Sequence, residues 1–231
     1  MLKKIFLPLI IGASISVPAV LAKVSHRAAT CEGKRYSYRL FIPITPSQKS
    51  PAILLLHGAG DSPDPMIDEW KSLADGQAIV LVAPELPRTV EFEAVAPSVF
   101  HCVMEDAKSV ASLDEKRLFV FGNSMGGYLA YDAAAFQSEY FAAVGVHAMG
   151  IDPQYDRILE QAKRKIPFII YMGDHDPLVS LKNVRRTKDL LENRGFPVQY
   201  EELKGHDHNY YYVAKQVNAG VWQFFVTHSL P

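Results

Sequence analysis

The sequence predicts an α/β fold, a mostly parallel sheet covered by helices on both faces. Short apolar runs stopped by Gly or Pro recur along the 231 residues, longer helix-type runs lie between them, and no linker, repeat or low-complexity tract divides the chain. A strand buried on both faces reads as a continuous apolar run, and parallel strands need crossover connections of the length found here.

Taken in order, "RYSYRLFIP" (35–43) alternates and predicts an early strand, antiparallel to its neighbour. "AILLLHG" (52–58), "AIVLVAP" (78–84), "RLFVFG" (117–122), "FAAVGV" (141–146) and "PFIIYMG" (167–173) predict buried strands, and a further strand is expected at about 197–203. Residues 124–137 are apolar nearly all round and predict a central helix. Residues 181–194 place Leu181, Val184, Leu190 and Leu191 on one face, with Ser180 as N-cap and Gly195 as C-terminal stop. Residues 210–227 carry Tyr210, Val213, Val217, Val221 and Phe224 at helical spacing and close the domain. Only about 20 residues separate the strands at 141–146 and 167–172, which leaves space for a helix but not for a cap domain. Residues 85–100 form the longest irregular stretch and are expected to line the entrance to any site.

Composition narrows the function. The chain is 48% hydrophobic and 21% charged, so it can bury a substantial core. Residues 1–22 combine a positive start, an apolar stretch and a small-residue cleavage signal before Lys23, the pattern of a secretory signal peptide. Pro8, Gly12 and Pro18 argue against a stable membrane-spanning helix there, so the mature domain is expected to be 23–231, exported to the periplasm or secreted. Without Lys3 and Lys4 the balance is 22 basic against 25 acidic residues, a net charge of −3. With no basic stripe or tail, neither nucleic acid nor an anionic membrane surface is an expected partner. Cys31 and Cys102 are either a disulfide, as export would favour, or two separate buried thiols, and their spacing fits no zinc or CxxC motif.

The chemistry is expected in loops after strands, because an open α/β sheet binds its ligands beyond the carboxyl ends of its strands. After 117–121 comes Gly122-Asn123-Ser124-Met125-Gly126, a G-x-S-x-G with a strand before it and a helix after it. Flanking glycines allow a sharp turn that pushes one hydroxyl into a cleft, where the Met125 N–H can stabilise a developing negative charge. A serine nucleophile needs a base, and the base needs an orienting acid. "GDHDPLVS" offers Asp174 and Asp176, and "KGHDHNYYY" offers His206 and His208, in the chain order Ser…Asp…His. "HGAGD" after the strand at 52–57 is placed to supply a second oxyanion N–H, from Ala59 first and Gly60 second. Two His two residues apart on a loop are not a zinc site, and no metal or organic cofactor is expected.

With these motifs in view, the sequence resembles small serine esterases of the α/β-hydrolase superfamily, the group of dienelactone hydrolases, feruloyl esterases and polyhydroxybutyrate depolymerases. The resemblance runs from "YRLFIP" through "LLLHGAGD", "FVFGNSMGGYLA", "YMGDHDPLVS" and "KGHDHNYYY" to "VNAGVWQFF". It implies an α/β-hydrolase fold and, from the G-x-x-D-x-x-V segment at Gly173, Asp176 and Val179, favours Asp176 as the acid. A "GHDW"-like setting in some relatives points to His206, and "DHSYY" in others, closer to "DHNYYYVA" here, favours His208. The implied activity is hydrolysis of small-molecule or polymeric esters through an acyl-enzyme on Ser124. A small peptidase or acyltransferase with the same triad is the alternative, and a non-catalytic binding protein on the same fold is the alternative of another class. His147 and Met149 are expected either as pocket walls or as packing residues.

Overall fold

The computed structural model of the chain describes residues 23–87 and 95–231; the expected signal peptide and residues 88–94 of the entrance stretch lie outside the described residues. In chain order the elements are β1 (Lys23–Cys31), β2 (Lys34–Ile42), β3 (Ser50–Leu56), α1 (Pro63–Gly76), β4 (Val80–Pro84) and α2 (Ser98–Lys108). They continue with β5 (Leu113–Asn123), α3 (Met125–Phe136), β6 (Ala143–His147), a 3-10 helix (Pro153–Gln161) and β7 (Phe168–Gly173). The last three are α4 (Leu181–Asn193), β8 (Val198–Leu203) and α5 (Tyr210–Phe225). The strands form one sheet in the order β1-β2-β4-β3-β5-β6-β7-β8. β2 pairs antiparallel with both β1 and β4, and every other pair is parallel.

The apolar runs are continuous because alternate residues feed two cores. Leu54 and Leu56 of β3 and Val120 of β5 pack under α2, α3 and α4, while Ile53, Leu55, Phe119 and Phe121 pack under α1 and α5. Ser180 caps α4 by accepting the Asn183 N–H, and Gly195 ends that helix at φ 80°. Between β6 and β7 the chain spends its length on the 3-10 helix, whose Tyr155 ring meets Tyr128 of α3 edge-on. β1, α1 and α2 are the three elements that carry no clear sequence signal.

Cys31 at the end of β1 and Cys102 in α2 are joined by a disulfide, with Cα atoms 5.9 Å apart. Closing a loop across 71 residues removes unfolded-state freedom worth about 4 kcal/mol. It pins the edge strand, which has a sheet neighbour on one side only, to the helix that covers it.

One polar cluster is buried beneath the carboxyl edge of the sheet. His147 at the end of β6 has no exposed surface, and its Nδ1–H donates to Asn123 Oδ1 (2.8 Å). The His206 ring lies 5.5 Å from it and is also buried. Burial, and then the neighbouring His206 and His208, push His147 down to about 3; burial also lowers His206. Both rings therefore stay neutral in the fold at a pH where an unfolded histidine, titrating near ~6.5, takes up a proton.

Two expectations follow from these contacts. Replacing both cysteines by serine lowers the unfolding free energy in urea by about 3–4 kcal/mol. Stability is fully present above ~6.5, and it falls as pH drops from there toward the His147 value of about 3, because the unfolded chain binds protons the fold refuses. Urea titrations between pH ~7 and ~5 should show this decline, at up to ~1.4 kcal/mol per pH unit from His147, and His206→Gln should make it shallower. A slope unchanged in that variant contradicts this account.

Candidate active site

Ser124 stands at the turn from β5 to α3 with φ 53° and ψ −122°. A positive φ costs a residue bearing a Cβ about 1–3 kcal/mol and persists only where the surroundings impose it. Here the Ser124 N–H donates to the His147 carbonyl (2.9 Å), and the Ser124 carbonyl accepts the Gly127 N–H (2.7 Å). The flanking glycines are needed for closeness. A Cβ on Gly122 would lie 2.1 Å from the Gly126 carbonyl oxygen, and one on Gly126 would lie 2.0 Å from that of Leu56. The turn thus presses α3 against the end of β3 and leaves the Ser124 side chain partly open to solvent.

Two further loops meet that hydroxyl. Ser124 Oγ lies 2.8 Å from His208 Nε2, and His208 Nδ1 lies 2.7 Å from Asp176 Oδ2. An ionised carboxylate can only accept, so Nδ1 carries the proton and Nε2 is left to accept from the serine. The Asp176 side chain has no exposed surface, whereas that of His208 is 20% exposed. The other Asp176 oxygen, Oδ1, accepts the backbone N–H groups of Leu178 (2.8 Å) and Val179 (2.9 Å), which fixes the carboxylate in its turn. Asn209 caps α5 by accepting the Tyr211 N–H, so the helix begins immediately after His208 and holds its backbone.

The other candidates fall elsewhere. Asp174 Oδ1 accepts the Gly205 N–H (2.6 Å), a contact that fastens the β7 loop to the loop carrying the histidines. His206 turns inward beside His147 and bonds to neither Ser124 nor Asp176; its carbonyl accepts the His175 N–H (3.0 Å). Ala59 lines the cleft over Ser124 together with Gly58, while Gly60 is not among its lining residues. Met125 opens α3 directly after the serine. His147 is a packing residue, and Met149 lines a neighbouring cavity with Gly150 and Val179. Among the described residues no group of three or more His, Cys, Asp or Glu is arranged to hold a metal ion.

The cleft has a volume of about 360 Å³, and its walls also include Asp61, Pro177, Leu178, Asp207 and Tyr211. His57 organises its floor. Fully buried, it accepts the Leu86 N–H on Nε2 (3.0 Å), so its Nδ1–H donates to the Gly58 carbonyl (2.8 Å) and sets the course of the Gly58-Ala59 loop. Nothing local in "LLLHGAG" signals that role, because the partner residue is 29 positions away.

Known proteins share this architecture. The structure of an S-formylglutathione hydrolase from Staphylococcus aureus superposes with a TM-score of 0.76 at 17% identity, covering 92% of this chain and 100% of that one. A thermostable esterase does so with a TM-score of 0.73 at 21% identity, covering 91% of this chain and 64% of that one. A bifunctional acetylxylan esterase/xylanase from Neocallimastix patriciarum is 23% identical over 168 residues, 66% of this chain, which thus spans only 23% of that relative's length. The structural likenesses identify the fold as that of α/β-hydrolases. Residues 84–219, more than half the sequence and the part holding Ser124, Asp176 and His208, match the dienelactone hydrolase family, and the chain belongs to it.

Proposed function

We propose that the protein is an exported serine esterase that cleaves carboxylic esters through Ser124, His208 and Asp176. The observation that carries this reading is the unbroken hydrogen-bonded line from Ser124 Oγ through His208 to a carboxylate sealed from water, opening onto a cleft. In the first half-reaction Ser124 Oγ attacks the ester carbonyl while His208 Nε2 takes its proton. Asp176 holds the ring in the required tautomer and stabilises the imidazolium that forms. The N–H groups of Met125 and Ala59 receive the developing oxyanion. His208 then gives its proton to the departing alcohol, leaving an acyl-serine. Water, deprotonated by the same nitrogen, releases the acid and restores the hydroxyl.

Export is supported by two independent features. Residues 1–22 have the composition of a secretory leader, and the Cys31–Cys102 disulfide belongs to an oxidising compartment. Among the described residues no helix is long and apolar enough to cross a membrane.

The roles are separable by kinetics on a short acyl nitrophenyl ester. Ser124→Ala and His208→Ala each lower kcat by on the order of 10³-fold or more, with circular dichroism unchanged. Asp176→Asn, which allows the wrong tautomer, gives a comparable loss. His206→Gln and Asp174→Asn keep most of the turnover, since neither side chain reaches the serine. Full activity in Ser124→Ala, or a greater loss in His206→Gln than in His208→Ala, would overturn the assignment.

A further inference from the structure

The cleft wall contains a carboxylate that the proposed chemistry does not use. Asp61, in the loop between β3 and α1, lines the cleft beside Ser124. Its Oδ1 accepts the Ser62 N–H (2.8 Å), and its Oδ2 accepts the hydroxyl of Tyr211, a residue 150 positions away in the first turn of α5. Burial, and then the bond to Asp61, raise the Tyr211 hydroxyl well above its ordinary range, so it remains a donor at any working pH. The pair ties the loop of Ala59 to the segment of His208 and holds the Asp61 charge in one place. Each carboxylate oxygen keeps acceptor capacity beyond the bond already made.

Among the described residues, the carboxylates of the cleft face no permanent cation. Asp207 also lines it, Asp176 lies behind His208, and among the described residues no Lys or Arg lines it. We propose that Asp61, fixed by Tyr211, is a specificity-determining residue. It admits esters that are neutral or cationic next to the scissile bond and turns away those carrying a carboxylate there. This rests on the esterase reading of the same site. A fixed charge several ångströms from a bound substrate charge, at an effective dielectric of 20 to 40, changes binding by about tenfold or more. The N-terminus of α1 beside Asp61 offsets part of that charge, so about tenfold is the expectation.

The test uses two substrate series on the full mature protein, because the cleft can receive either side of the ester. In one the alcohol varies: acetylcholine, glycerol monoacetate and acetylglycolate. In the other the acyl group varies: nitrophenyl esters of trimethylammoniobutanoate, butanoate and glutarate. The readout is the ratio of kcat/KM for the cationic ester to that for the anionic ester. In the wild type this ratio should exceed unity in at least one series and shrink toward it at high salt. In Asp61→Asn it should fall about tenfold, while Tyr211→Phe, which keeps the charge, should retain most of it. A ratio unchanged in Asp61→Asn, whatever its response to salt, overturns the inference and leaves the esterase reading standing. Failure of the wild type to turn over either neutral ester overturns both.

Discussion

The arrangement depends most on how closely α3 approaches the end of β3. Gly126 sits so near the Leu56 carbonyl that no side chain fits, and this contact forces the chain at Ser124 into a backbone conformation that serine does not choose. The strain is held by three backbone hydrogen bonds, one of them to the end of β6. β3, β5 and β6 therefore fix the hydroxyl together, and its direction is a property of the sheet rather than of a flexible loop. An atom built on strand ends in this way has little freedom left to lose on binding a ligand.

The same economy governs the loops that meet it. The β7 loop delivers Asp176 with its second oxygen occupied by two backbone N–H groups, and the cap of α5 delivers His208. His57 steadies the floor from a fully buried position, and Asp61 and Tyr211 join the loop after β3 to the first turn of α5. Asp61, Asp176 and His208 each have a hydrogen-bonded partner, so these polar groups are already oriented before a ligand arrives. Beneath them, burial holds His147 neutral and lowers His206 below the usual histidine range, and the fold gives up acid stability in exchange.

How much of this was legible in the sequence varied with the range of the interactions involved. β3, β5, β6 and β7 were legible because both their faces are buried, which leaves an apolar signature in a few consecutive residues. β1 was not: "KVSHRAATC" is an edge strand whose pattern is diluted by polar residues, and the disulfide that secures it is a contact across 71 residues. α1 opens on "PDP", which reads as a turn even though proline suits the first helical turn. α2 follows directly on an irregular stretch that masks its start. The glycine turn around Ser124 was legible because its demands are local. Within the pairs Asp174/Asp176 and His206/His208, only the resemblance to esterases favoured Asp176 and His208 in the sequence; the residue types alone did not separate them. What separates them is a hydrogen bond from Gly205 to Asp174 and the inward turn of His206, both set by tertiary contacts. The Asp61–Tyr211 contact joins residues 150 apart and left no mark on either segment alone.

A nucleophilic Ser124 activated by His208 is open to covalent capture. The folded mature protein would be treated with a fluorophosphonate and digested, and the modified peptide identified by mass spectrometry. The expected result is a single adduct on Ser124 that is lost in His208→Ala and retained in His206→Gln. A folded protein that takes up no label, or carries it on a residue other than Ser124, would contradict it.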